Sequence, residues 1–221
     1  MAFVELPFVG VGLLYKFGYF NQLIIGGQQG AGYVNYKNCH LPLNPVTTLS
    51  VPFKDQQMQV VVHEVTVGGA RLLLLDTDVE GNSEEMTVLT KNLYGGGKHT
   101  RIGQEILLGI GGVRALRALD IERDVYHLNE GHAAFLLLEV WIENHQHGLS
   151  WEASWDKVRQ QAVFTTHTPV PAGHDTFSWD LVNAYLGAYR QRVGLPEGAF
   201  MDKGRENPSD WSLPLSMTVL G

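Results

Sequence analysis

The run from Asp124 to Thr166 leaves this chain the least choice of fold. Asp124 to Leu128 (DVYHL) reads as a short strand, and Asn129-Glu130-Gly131 as a tight connection. His132 to His147 then carries Ala134, Leu138, Trp141 and Ile142 at helical spacing, with Phe135, Leu136, Leu137 and Val140 extending the apolar surface around most of the girth. A helix so apolar is a buried one. Ser150 stands as an N-cap ahead of Trp151, Trp155, Val158 and Ala162, spaced four, three and four, and Val163 to Thr166 (VFTT) reads as the next strand. Strand, helix, helix, strand at this spacing predicts an α/β unit with a parallel sheet. Ligands of such sheets bind outside the carboxyl ends of the strands, and two polar clusters fall there: Asn129 to His132 and His167 to Asp175.

The flanking sequence supports one compact unit, with no linker, low-complexity tract or repeat. Phe8 to Lys16 and Gly18 to Ile25 are rich in glycine and β-formers. Gln59 to Val67 alternates as a strand, Gly68-Gly69 suits a two-residue hairpin turn, and Arg71 to Leu75 reads as the return strand before a polar loop, Asp76 to Glu85. Ile102, Ile106, Ile110, Val113 and Leu116 recur at the helical period. Gly109, Gly111 and Gly112 sit inside that helix, not between a strand and a helix where a dinucleotide's pyrophosphate would need them. They are read as places where a neighbouring element comes close.

Charge and cysteine usage narrow the function classes. Sixteen Lys plus Arg against 23 Asp plus Glu give a formal charge of −7, with no basic face for nucleic acid or anionic lipid. The longest apolar run, Ala133 to Leu138, is far too short for a membrane span, and the N-terminus lacks the basic region of a signal peptide, so the expectation is cytoplasmic. The single cysteine, Cys39, excludes an internal disulfide and a multi-cysteine zinc site.

Two readings of the polar clusters stand side by side. In one, His127-Leu-Asn-Glu-Gly-His132 and Thr165-Thr-His-Thr-Pro-Val-Pro-Ala-Gly-His-Asp175 aim imidazoles, a carboxylate and main-chain groups at a bound molecule, the two prolines and the glycine fixing the backbone path. In the other, Asn129 and Glu130 cap a helix, His127 and His132 are hydrogen-bonded core histidines, and the prolines end a strand. A metal site is expected to be absent, because the spacings of His127, His132, His167 and His174 match no helix-based zinc motif. No G-x-S-x-G sequence supports a serine hydrolase.

Val125-Tyr-His-Leu-Asn-Glu-Gly-His132 and Phe164-Thr-Thr-His-Thr-Pro-Val-Pro-Ala-Gly-His-Asp175 resemble the paired signatures of the α-glucan (glycogen, maltodextrin) phosphorylases, in their bacterial and archaeal branch. Leu6 to Tyr15, Gly18 to Gln22, Leu74 to Asp78, Leu93 to Gly96, Arg101 to Ile106 and Leu108 to Leu116 are similar to that family and occur in its order. The resemblance implies a retaining, pyridoxal-phosphate-dependent glycosyltransferase of the two-lobed GT-B fold that splits α-1,4-glucan with inorganic phosphate to glucose 1-phosphate. It places His167 as the catalytic residue at the glucose being cleaved, its carbonyl near the developing positive charge. Glu130 and His132 fall on the acceptor-glucan side with Asn129, Thr168 begins a gating loop, and Tyr94 and Gly95 approach the sugar from the opposite side. Glu130 stands where animal relatives carry Asp.

By the same resemblance, residues 1–221 are expected to be part of the N-terminal, glucan-side lobe: α/β, with a Rossmann-like parallel sheet and flanking helices. The family's Gly-Gly-Leu-Gly loop and C-terminal cofactor lobe are expected to lie outside the chain, since none of Lys16, Lys37, Lys54, Lys91, Lys98, Lys157 and Lys203 sits in the cofactor-lysine motif. The chain alone is then expected to be inactive, its partners being glucan, phosphate and a second copy in a homodimer. The alternatives are a non-catalytic glucan-binding or regulatory module and a sugar-nucleotide-dependent, starch-synthase-like GT-B enzyme.

Overall fold

The computed structural model describes residues 8–36, 42–93 and 95–221; Cys39 and Tyr94 lie outside them. Six strands come first: β1 (Val9–Leu13), β2 (Phe17–Ile25), β3 (Gln28–Asn35), β4 (Asn44–Phe53), β5 (Gln56–Val67) and β6 (Ala70–Asp76). Four of them form a sheet in the order β1-β6-β5-β4, in which β1 runs parallel to β6 and the other pairs are antiparallel. Of the two alternating sets in β5, Met58, Val60 and Val62 turn inward and are fully buried. Gly68 and Gly69 make the β5–β6 turn with φ of 57° and 90°, the left-handed conformations that favour glycine in a two-residue hairpin. β2 and β3 pair with each other as a separate hairpin that leaves Tyr19, Ile24, Ile25 and Tyr33 exposed.

Helix α1 (Glu84–Thr87) leads through a turn to α2 (Lys98–Ile106), a π-helical segment (Leu107–Gly111) and α3 (Gly112–Ala118). The periodicity predicted one helix over this range; the structure widens it for five residues in the middle. Ile102, Ile106, Ile110 and Val113 join Val51, Phe53, Met58, Val60 and Leu75 of the sheet in one core. Gly109 lies in the widened segment against the start of α4 (Phe135–Gln146): a Cβ there would stand 2.5 Å from Leu136 N and 2.8 Å from the Phe135 carbonyl carbon. Close approach is therefore the role of this glycine. Alanine at 109 gains about 1 kcal/mol of helix propensity, but backbone cannot retreat as a flexible side chain can. Gly109→Ala is expected to destabilise the fold by about 2 kcal/mol, read as a lowered urea midpoint at unchanged slope.

After α3 come β7 (Tyr126–Asn129), α4, α5 (Trp151–Gln161) and β8 (Ala162–Thr165), and β7 and β8 pair in parallel. Ser150 caps α5, its hydroxyl accepting from the Ala153 amide at 3.2 Å. Trp141 of α4 meets Trp151 and Trp155 of α5 edge-on, with ring centroids 5.6 and 4.9 Å away. The last quarter holds β9 (Thr176–Phe177), α6 (Trp179–Val193), α7 (Ala199–Gly204), β10 (Leu215–Ser216) and α8 (Met217–Leu220), with β9 and β10 paired antiparallel.

The architecture is mixed α/β. The parallel pairing expected of the 124–166 unit is present as β7–β8; the wider parallel sheet is corrected, since the four-stranded sheet holds one parallel pair, β1–β6, and tight hairpin turns set β4, β5 and β6 in antiparallel order. No helix among the described residues is long and apolar enough to cross a membrane.

Candidate functional site

The register of β7 and β8 pairs Tyr126 with Ala162, Leu128 with Phe164, and Asn129 with Thr165, so both strands end at one edge. Strand alternation buries Tyr126 and Leu128 and leaves His127 and Asn129 exposed. His127 Nε2 and Thr165 Oγ1 are 2.7 Å apart on the exposed face. The Glu130 amide continues the ladder to the Thr165 carbonyl at 2.9 Å, and then the chain turns sharply. Glu130 holds φ 64° and ψ 178°, a region essentially reserved for glycine that costs a non-glycine residue about 1–3 kcal/mol.

The neighbourhood explains why that conformation persists. Glu130 is 4% exposed, and its Oε1 accepts the His167 amide at 2.7 Å while Thr166 Oγ1 donates to Oε2 at 3.4 Å. The amide of His167 is the main reason its carboxyl is held below the usual carboxylate range. His167 is thereby fixed through its backbone, and its largely exposed imidazole places Nε2 3.0 Å from Asn129 Oδ1. Gly131 follows against Met217 of α8; a Cβ there would stand 2.9 Å from Met217 Cβ and 3.1 Å from its carbonyl carbon.

Five of the expected site residues come together here: Asn129, Glu130, His132, His167 and Thr168. Glu130, expected on the acceptor-glucan side, has its carboxylate turned inward to the β8 loop. Thr168 braces the same loop, its carbonyl accepting from His174 Nε2 at 2.9 Å. Gly95 packs on Asn92 in the approach to α2, and Tyr94 lies outside the described residues.

His132 opens onto a second group that chemistry-bearing spacing did not single out. Arg101 Nη2, from α2, lies 2.6 Å from Asp175 Oδ2, 3.1 Å from His132 Nδ1 and 3.4 Å from Glu105 Oε1. Glu105, His132 and Asp175 hold ligand atoms close enough together for a metal ion, but the guanidinium bonds to all three. Glu105 is 1% exposed, and its Oε2 is buried without a hydrogen-bond partner among the described residues. Burial pushes its carboxyl up to about 8. The Asp175 and Glu105 carboxyls raise His132 to about 9, while His132 and Arg101 hold Asp175 well below the usual range. Arg101 and Glu105 form an i,i+4 pair, and Glu105 lies one turn from Ile102 beside the apolar stripe; that was the signal available in the sequence.

Glu105 and His132 both bind protons more tightly folded than unfolded, so stability is expected to fall as pH rises. For His132 the contribution is complete below about 6.5 and lost through about 9; Glu105 acts in the same direction up to about 8. Urea midpoints measured from pH 6.5 to 9 should decline, and Glu105→Gln should flatten the slope.

Two polar turns stand at the carboxyl ends of adjacent parallel strands, the position where ligands bind in open α/β sheets. No protein-family model matches the chain. It is 42% identical over 209 residues to the maltodextrin phosphorylase of Thermococcus litoralis, covering 91% of this chain and 25% of that protein. It is 39% identical over 222 residues to the glycogen phosphorylase of Mycobacterium tuberculosis, covering 91% and 26%. It is 30% identical over 223 residues to that of Aquifex aeolicus, covering 97% and 32%. The chain is thus similar over nearly all of its length to a portion of the α-glucan phosphorylases, and spans a quarter to a third of the relatives it matches.

Proposed function

We propose that this chain forms the glucan-facing part of the N-terminal lobe of a GT-B α-glucan phosphorylase. The observation that carries the proposal is the backbone on both sides of His167: the buried Glu130 carboxylate accepts the His167 amide, the Thr168 amide, which shares a peptide plane with the His167 carbonyl, also acts on it, and the imidazole stays exposed beside Asn129. A fixed peptide is what electrostatic stabilisation of a cationic sugar requires, since a carbonyl dipole that need not reorient costs nothing at the moment of reaction. In this reading His167 faces the glucose being cleaved, its carbonyl towards the developing charge at the anomeric carbon. Asn129 fixes its ring; Thr168 and His132 line the approach of the glucan. Pyridoxal phosphate supplies its phosphate group to the chemistry from residues outside this chain, and inorganic phosphate is the second substrate. The reading carries with it a cytoplasmic setting and a homodimer, for which the exposed apolar side chains of the β2–β3 hairpin supply surface.

Calorimetric titration with maltopentaose tests the proposal. The chain is expected to bind the sugar saturably without turnover, and phosphorolysis is expected once a C-terminal phosphorylase lobe is supplied. His167→Ala should weaken sugar binding about tenfold, the value of one good hydrogen bond. Binding that is absent, or indifferent to His167 and Asn129, overturns the assignment of this edge.

A further inference from the structure

The group around Arg101 joins three parts of the chain: α2 through Arg101 and Glu105, the turn after β7 through His132, and the segment after β8 through Asp175. That last segment begins at His167 and is held at both ends. Glu130 secures the His167 amide, while the Asp175 carboxylate meets Arg101 and its carbonyl accepts from the Met217 amide at 3.0 Å. Between them, His174 bonds Thr168 O and Thr218 Oγ1. The Glu130 carboxyl and the His174 imidazole are also titratable, but the Asp175 attachment is the one that gathers Arg101, Glu105 and His132 around a single carboxylate.

The proton inventory gives that attachment two arrangements. Arg101 donates to His132 Nδ1 only while that nitrogen is bare. Once protonated, Nδ1 can no longer accept from Arg101, and the imidazolium charge faces Asp175 Oδ2 and Glu105 Oε1, 3.7 and 3.9 Å away. Loss of the proton from His132 and Glu105 leaves two carboxylates against a single guanidinium, one of them buried with an unpartnered oxygen. Tyr15 also acts electrostatically on Arg101, and Lys98 donates to the Thr176 carbonyl at 3.1 Å from the same helix.

We propose that Arg101, Glu105, His132 and Asp175 act together as a proton-dependent clasp that fastens the 167–175 segment to α2 and so positions His167. Arg101 and Glu105 are positioning residues. The clasp's bearing on glycosyl transfer rests on the proposed function, whereas its existence does not.

The test is amide hydrogen exchange on the 221-residue chain, expressed as protection relative to intrinsic rates. Protection of His167, Gly173 and His174 is expected to drop about tenfold between pH 6 and 9, by more than that of Tyr185 and Leu186 of α6. Glu105→Gln should remove most of that pH dependence. Arg101→Gln should lower protection in the segment at pH 6, and Arg101→Lys should restore part of it. Protection independent of pH, or a loss shared equally with α6, overturns the clasp. Should Arg101→Gln fail to fold, the wild-type pH series and the Glu105→Gln comparison still decide. No sugar is present, so failure of the phosphorylase reading leaves this result untouched.

Discussion

Glu139→Leu is expected to lower stability by about 3 kcal/mol, or roughly 10 °C in melting temperature for a chain of this size. Glu139, set among Leu136 to Leu138 and Val140 to Ile142 of α4, is buried and accepts from Arg114 Nε at 2.6 Å and from the Tyr189 hydroxyl at 2.5 Å. Arg114 also donates to the Ser50 carbonyl at 2.8 Å and to Tyr189 at 3.2 Å. One ion pair thus links α3, α4, α6 and β4. Removing the carboxylate leaves a half-buried guanidinium and a buried phenol without their acceptor, which costs more than the pair contributes net. The double replacement Arg114→Leu with Glu139→Leu should therefore recover a large part of the loss, and thermal unfolding of the three variants measures it. Equal or additive losses would show that packing, not the orphaned charge, sets the penalty.

The parts of the fold legible in the sequence are those where one periodicity acted alone. The apolar girth of α4, the Ser150 cap and the β-branched run of β8 each admit one reading, and together they placed the strand edge and its two polar turns. Strand β4 escaped because Pro45 and Pro52 argue against a strand; the structure sets β4 at the edge of its sheet, where missing donors are tolerated. The antiparallel order of β4 to β6 followed from turns that local pattern suggested only at Gly68-Gly69. Within the site, Asn129, Glu130, His132, His167 and Thr168 stand in two motifs and were legible there. Arg101 and Glu105 stand in a segment similar to the phosphorylases but show no role in the sequence, because what unites them with His132 and Asp175 is the packing of α2 over the strand edge. Glu130's inward turn was equally hidden, for it depends on a backbone angle that no residue type announces.

In an enzyme completed by the C-terminal lobe, Glu130→Ala is expected to reduce kcat about 100- to 1000-fold, the range seen when one preorganised electrostatic group is lost. The buried carboxylate holds the His167 amide and is also acted on by the Thr168 amide, which shares a peptide plane with the His167 carbonyl; under the proposed function, removing it frees that carbonyl from its aim at the sugar. Because that dipole matters most once charge has developed, the loss should fall on kcat and leave KM nearly unchanged. Glu130→Gln keeps an oxygen that accepts the same amide and should recover most of the rate. His167→Ala retains the carbonyl but loses the imidazole, so its effect on kcat should be smaller, about 10- to 100-fold. The order of the three variants carries the argument. If Glu130 instead touched the glucan directly through its charge, Gln would fail as badly as Ala and both would raise KM. Initial-rate phosphorolysis across maltodextrin concentrations, with far-ultraviolet circular dichroism to confirm folding, separates a carboxylate that positions His167 from one that binds sugar.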